Sequence, residues 1–314
     1  MKEFLTVLYA VLPVFCIAGI GVVMRLINWL TEEADASLLR VTVNLLIPCL
    51  IFDSILGNPA LGVLSNVVLA PMVGLFTVVL GIVIAYGAGA GLAGEPARRR
   101  TFSFAVGVYN YGYVPLPLAL ALFDRETAGV LFVHNVGVEA GLWTFGLLLL
   151  SGTSWRESWR KLLNPPLIVI VFTLALNFLG LDEAVPEFVR TTTRMLGQCA
   201  IPVGLILIGA TVADFRGEFR AVRGRGEMAL ACLLRLGVLP VLFLLLAKYL
   251  PCSIELKRVI VLEAAMPAAV FPIVIAKHYG GDTAVALRVV ISTSVVGLIT
   301  IPLWIRFGMN WVGL

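Results

Sequence analysis

The stretch NYGYVPLPLALAL, from Asn110 to Leu122, lies in the middle of an apolar run that extends from about Thr101 to Phe123. Two prolines, a glycine, an asparagine and two tyrosines are poor material for a helix whose only task is to cross a bilayer. Proline removes a backbone N–H, clashes with the preceding turn and biases its predecessor away from helix. Lipid cannot satisfy the groups freed at that depth, so they must face protein or a wet cavity. One such segment reads equally well as a simple kink, which membrane helices tolerate. The rest of the chain decides between the two.

Composition sets the solvent. Hydrophobic residues make up 60% of the 314 positions and charged residues 13%, and the mean hydropathy is +1.00. A soluble domain is about half apolar and a quarter charged. The pattern predicts an all-α membrane protein, since helices satisfy their own backbone in lipid. Ten apolar segments are readable, at about 4–24, 37–57, 66–90, 101–123, 127–150, 165–182, 187–212, 227–250, 258–279 and 283–307. The five cysteines show no CxxC or Cys/His spacing and read as apolar filler. The first apolar run is too long for a signal peptide and is expected to stay as the first helix. The net charge of +4 sits in loops, where it reports topology rather than nucleic-acid binding.

Basic residues collect after the odd-numbered segments: Arg25, then Arg98 to Arg100, then Arg156, Arg160 and Lys161, then Arg216, Arg220, Arg223 and Arg225, and finally Lys277. Positive loops stay in the cytoplasm, which places both termini outside a multi-pass protein of the cell (inner) membrane. With five segments per half, the second half then enters from the side opposite to the first. Three matches fit such a repeat: Pro48 with Pro202, Pro117 with Pro272, and Thr127 with Thr283, at separations of 154, 155 and 156 residues. The expected architecture is two inverted five-helix repeats, 1–150 and 151–314, with segments 4 and 9 equivalent.

Segment 9 reads EAAMPAAVFPIVIA and carries Pro267 and Pro272. Two paired segments, each broken in mid-membrane, aim helix N-termini at one spot, a ready place for an anion. The breaks are expected near Tyr113–Pro117 and Met266–Pro272. The candidate substrate residues are Asn110, Tyr113, Pro117, Pro267 and Pro272, with Asn135 close by. Intramembrane acids mark function by default, so Glu139 and Glu263 are candidates for sodium or proton coupling, and Thr293, in segment 10 opposite segment 5 of the repeat, is a candidate ion ligand through its hydroxyl. Glu139 either titrates, binds a cation, or stays neutral within the bundle. His134 reads as packing, and Arg235 as pairing with an acid or snorkelling.

The spacing from Asn110 to Pro117, EAAMP at Glu263 to Pro267, NLLIPCLIF from Asn44 and IPVGLILIGA from Ile201 together resemble the auxin efflux carrier family over nearly the whole chain. The resemblance implies the ten-helix fold of bile-acid symporters and sodium/proton antiporters. Segments 1, 2, 6 and 7 would then form a scaffold and dimer interface, and segments 3–5 and 8–10 a moving transport body. It also implies that Asn110 contacts a substrate carboxylate, and that Glu139 stands where plant carriers place a glutamine. The expected protein is an elevator-type secondary transporter for small organic anions, a homodimer with no cofactor. An ion exchanger or a non-transporting sensor of the same fold are the alternatives. No GxxxxGK[ST], HExxH or GxSxG occurs, which leaves an enzyme little apparatus.

Overall fold

The computed structural model describes residues 2–91, 96–151, 163–214 and 224–314. The basic positions Arg156, Arg160, Lys161, Arg216, Arg220 and Arg223, used above for orientation, lie outside the described residues. In chain order the helices are α1 (Lys2–Leu26), α2 (Glu32–Ile55), α3 (Leu64–Ala88), α4 (Pro96–Gly107), α5 (Pro115–Leu122) and α6 (Arg125–Leu150). They continue with α7 (Pro165–Phe178), α8 (Glu187–Asp214), α9 (Arg225–Tyr249), α10 (Ile254–Ala265), α11 (Phe271–His278) and α12 (Thr283–Val312). Among the described residues, seven of these (α1, α2, α3, α6, α8, α9 and α12) are long and apolar enough to cross a membrane, and α7 is a shorter apolar helix. Segments 4 and 9 of the sequence are each split into two, α4 with α5 and α10 with α11.

The first break differs from the expectation in place. It runs from Val108 to Val114, ahead of the prolines, because Pro115 opens α5 at its first position. There its missing N–H is no loss and its fixed φ favours the helix. In the second segment Phe271 and Pro272 open α11 in the same way. Proline starts these half-helices; it does not break them.

Polar side chains set four other starts, those of α6, α7, α10 and α12. Asp124 accepts from Thr127 N at 2.8 Å, Asn164 from Leu167 N at 2.9 Å, Ser253 from Leu256 N at 3.2 Å and Asp282 from Val285 N at 3.0 Å. Two caps also tie segments together. Asp124 pairs with Arg258 of α10 at 2.5 Å, and the Asp282 N–H reaches Thr101 Oγ1 of α4 at 3.0 Å. Near the Asp282–Thr101 tie, where α4, α9 and α12 all start, the buried Glu227 is held by Arg98 and by Arg288 Nε at 2.9 Å.

Two of the prolines inside the long helices are preceded by single π turns, Thr42–Leu46 before Pro48 and Leu234–Val238 before Pro240, while Pro13, Pro71 and Pro302 are carried without one. Pro240 cannot donate to the carbonyl four residues back. That carbonyl, Leu236 O, instead accepts from Trp304 Nε1 of α12 at 2.7 Å.

Close approach rests on glycine at two contacts. A Cβ on Gly137 of α6 would lie 1.7 Å from Pro71 O of α3, and one on Gly209 of α8 would lie 1.9 Å from Ala18 O of α1. Backbone fills both spaces, so no side chain can yield. Gly137→Ala should therefore lower stability by about 1–3 kcal/mol, the usual cost of overpacking. Gly87→Ala, whose Cβ meets nothing within 4 Å, should not. Thermal unfolding of the two variants in detergent checks the difference.

Candidate functional site

The two breaks meet. Asn110 N donates to Pro267 O at 2.8 Å and Ala269 N donates to Val108 O at 3.0 Å, forming the antiparallel bridge between Tyr109 and Ala268. Each loop thus satisfies the other at a depth where water and lipid offer nothing. The remaining groups find side chains. Thr293 Oγ1 of α12 accepts from Ala268 N at 3.2 Å, while Asn110 Oδ1 accepts from Val114 N at 3.4 Å. Asn135 Nδ2 of α6 donates to Tyr111 O at 2.6 Å.

Arg235, fully buried in the π turn of α9, closes the opposite face of the crossing. Its Nε donates to Met266 O at 2.9 Å and its Nη2 to Glu263 O at 3.1 Å. A guanidinium on the last carbonyls of α10 opposes the negative end of that half-helix. The same group lies over the rings of Tyr109 and Phe243, at 4.9 and 5.2 Å from their centroids. Tyr109 Oη is in turn 2.8 Å from Thr77 Oγ1 of α3. Neither Glu263 carboxyl oxygen has a hydrogen-bond partner among the described residues, nor does Arg235 Nη1. No ion pair joins the two side chains among the described residues.

A cavity of about 570 Å³ opens on the other side of the crossing, between α2, α7 and α8 on one wall and α5, α6 and α11 on the other. The N-terminal ends of both half-helices reach it, through Gly112, Tyr113, Val270 and Phe271. Asn110, Asn135, Glu139, Trp143 and Asn164 add the polar and aromatic surface. Asn164 does two jobs: its Oδ1 caps α7, and its Nδ2 donates to Glu139 Oε2 at 2.8 Å. Trp143 meets Phe271 edge to face, with centroids 5.6 Å apart. The Tyr113 ring lies against α8 where only glycine fits, since a Cβ on Gly204 would fall 1.9 Å from the ring.

Away from the cavity α2 is bonded across to the other wall through Arg125 and within its own wall through Arg194 and Asn177. Arg125 of α6 reaches the Asp53 carbonyl, and Arg194 of α8 pairs with the Asp53 carboxylate at 3.3 Å. Asn177 of α7 bonds Ile55 O at 2.7 Å and Gly57 N at 2.9 Å.

Of the expected site residues, Asn110, Tyr113, Asn135 and Glu139 line the cavity. Pro117, Pro267 and Pro272 do not; they shape the half-helices and the bridge that others present. Glu139 and Glu263 are not brought together. Glu139 faces the cavity, whereas Glu263 is sealed beside Arg235 outside its lining. Thr293 holds a crossing N–H and lies outside the lining, and His134 is buried outside it. Sequence reading missed Asn164 and Gly204. Asn164-Pro165-Pro166 is a legible helix start, but its reach to Glu139 is a tertiary fact.

The family model described as membrane transport protein matches the chain twice, over residues 6–158 and 156–305. The chain belongs to that family. It is the family toward which the motifs of segments 2, 4, 7 and 9 pointed. An uncharacterized transporter of Methanothermobacter thermautotrophicus is 26% identical over 306 residues, covering 94% of this chain and 96% of the relative. The protein is thus a multi-pass membrane transporter, and its crossing helices and cavity are the transporter's candidate binding site.

In this transporter Arg235 should matter for its carbonyls. Arg235→Met takes the guanidinium donors from Met266 O and Glu263 O and should cost roughly 1–3 kcal/mol for each buried acceptor left without a partner. Glu263→Gln, whose carboxyl oxygens accept no hydrogen bond among the described residues, should cost clearly less, and a double-mutant cycle on unfolding free energies measures how far the two side chains couple.

Proposed function

We propose that this transporter is a secondary active carrier for small organic anions, carboxylates above all, working by elevator-type alternating access. The observation that carries the reading is the cavity at the crossing, where two half-helix N-termini and the Asn110 amide converge in an otherwise apolar, aromatic pocket. Helix N-termini favour negative charge, and an amide donor fixes a carboxylate's orientation. The ten crossings form two inverted repeats. Two family matches to successive halves and an antiparallel bridge between the equivalent breaks support this. So do Asp124–Arg258 and Asp282–Thr101, two tethers of the same kind in the two halves.

With both termini outside, the cavity opens to the cytoplasm, toward the start of α2 and the end of α6. The stitching by Arg125, Asp53, Arg194 and Asn177 is then the outer seal. In the opposite state α3–α6 and α9–α12 slide against α1, α2, α7 and α8, and the Arg125 bonds to Asp53 and Leu56 must break, whereas those of Arg194 and Asn177 lie within one body and persist. The Tyr113 contact on Gly204 crosses the same boundary. The carrier sits as a homodimer in the inner membrane and uses no cofactor. An anion bound beside Glu139 calls for a positive charge there, which a proton, a sodium ion or the substrate itself can bring.

Counterflow of radiolabelled carboxylic acids in proteoliposomes tests the carrier reading. Substrate-stimulated exchange is expected, and binding without exchange would make the protein a sensor. Asn110→Ala removes one donor to a charged group. A bond of that kind contributes about 1.5–3 kcal/mol, so affinity should fall roughly ten- to hundredfold while the fold survives. Unchanged affinity would move the site away from the crossing.

A further inference from the structure

The charge in the cavity is one-sided. Among the described residues, Glu139 is the single ionisable acid or base in its lining apart from the tyrosines. No lysine, arginine or histidine pairs with it among the described residues. Its Oε2 accepts from Asn164, and its Oε1 makes no hydrogen bond within the described residues. It is half-buried and so open to the cavity. A pocket built for a simple anion has no use for such a group.

Its neighbours indicate what it receives. A hard inorganic cation wants a shell of several oxygens. The Asn164 amide turns its nitrogen toward Glu139 and spends its oxygen on Leu167 N, so it offers no ligand. What surrounds Glu139 in the lining is aromatic and aliphatic: Trp143 one turn on, then Phe271, Tyr111 and Ile170. An organic ammonium is at home among such faces, with one carboxylate to answer its charge.

The register completes the geometry. Asn135, Glu139 and Trp143 are four residues apart and share one face of α6. Asn135 is tied to Tyr111 O, which fixes that end of the stripe at the crossing loop. Glu139 therefore stands about one turn, roughly 6 Å along the axis, from the level of the crossing loop, within reach of a small molecule held there.

We propose that the substrate is a zwitterion: a small apolar or aromatic amino acid whose carboxylate docks at Asn110 and the crossing loops while its protonated amine docks on Glu139. This rests on the carrier reading above and names its substrate class. The molecule supplies its own counter-charge to Glu139 and bridges, through Asn164, the two walls of the cavity.

Matched pairs test it on the purified full-length protein, by thermal shift and by counterflow in proteoliposomes. The probes are L-phenylalanine against 3-phenylpropionate, and 4-(aminomethyl)benzoate against 4-methylbenzoate, which differ in the amine and bracket its distance from the carboxylate. In at least one pair the amine-bearing member should bind about tenfold or more tighter, the effect of one charge-assisted bond. Glu139→Gln should erase that preference, so that the two members of the pair bind alike, and unfold at the wild-type temperature. Equal or tighter binding of the amine-free acids by the wild type overturns the proposal. So does a preference for the amine that survives Glu139→Gln. Either result leaves the anion carrier standing, with Glu139 serving a proton or sodium ion and the variant losing pH or sodium dependence. If neither member of any pair binds, the carboxylate site at the crossing falls together with the zwitterion.

Discussion

Two backbone hydrogen bonds, Asn110 N to Pro267 O and Ala269 N to Val108 O, make the rest of this transporter possible. Breaking a helix in lipid strands several donors and acceptors, each at a cost of several kcal/mol. Two breaks brought together in antiparallel fashion satisfy each other, which neither does alone. The constraint is geometric as well as energetic. Both segments must break at the same depth and meet within hydrogen-bond reach. That position in turn fixes where α3, α9 and α12 must stand to supply Thr77, Arg235 and Thr293.

The two halves solve the remaining problem differently. Thr77 and Arg235 are 158 residues apart, close to the repeat spacing of the chain. Thr77 binds the Tyr109 hydroxyl, whereas Arg235 caps the end of α10 and covers the same tyrosine ring. A buried guanidinium brings a desolvation cost that Glu263 offsets only in part, since its carboxyl oxygens accept no hydrogen bond among the described residues. Charge at this place is therefore poor evidence for stability. Its better-supported effect is positional: the fork of Arg235 holds two carbonyls of one chain end in a fixed arrangement.

How much of this was legible can be judged residue by residue. The helical class and the existence of both breaks follow from apolar runs spoiled by Pro, Gly and Asn, and the structure agrees. The first break was misplaced by several residues because proline was read as the breaker rather than as the first residue of the next helix. Glu139 and Glu263 were both visible as intramembrane acids. Their separation was not visible, because which face of α6 and α10 they occupy relative to the cavity depends on tertiary packing. Arg235 was expected to seek an acidic side chain. It binds carbonyls instead, because a half-helix end in mid-membrane offers acceptors that no sequence pattern announces. The Trp304 bond to Leu236 O has the same origin: Pro240 creates an orphan, and a helix more than sixty residues on supplies the donor.

The crossing also sorts charge. Each half-helix end carries a partial charge, positive where N–H groups are free and negative where carbonyls are. The negative end of α10 is turned to one side and closed by Arg235, away from the cavity lining. The N-terminal ends of α5 and α11 are turned to the other side, where they reach the cavity. The α5 end offers no free N–H, since Pro115 and Pro117 carry none and Leu116 N is bonded to Gly112 O, so the dipole there acts without a donor of its own. The cavity has no cationic side chain among its described lining residues, and the buried guanidinium lies outside that lining. Apart from Tyr111 and Tyr113, the one ionisable group among its described lining residues is Glu139, so the charge of the cavity turns on what that carboxylate meets.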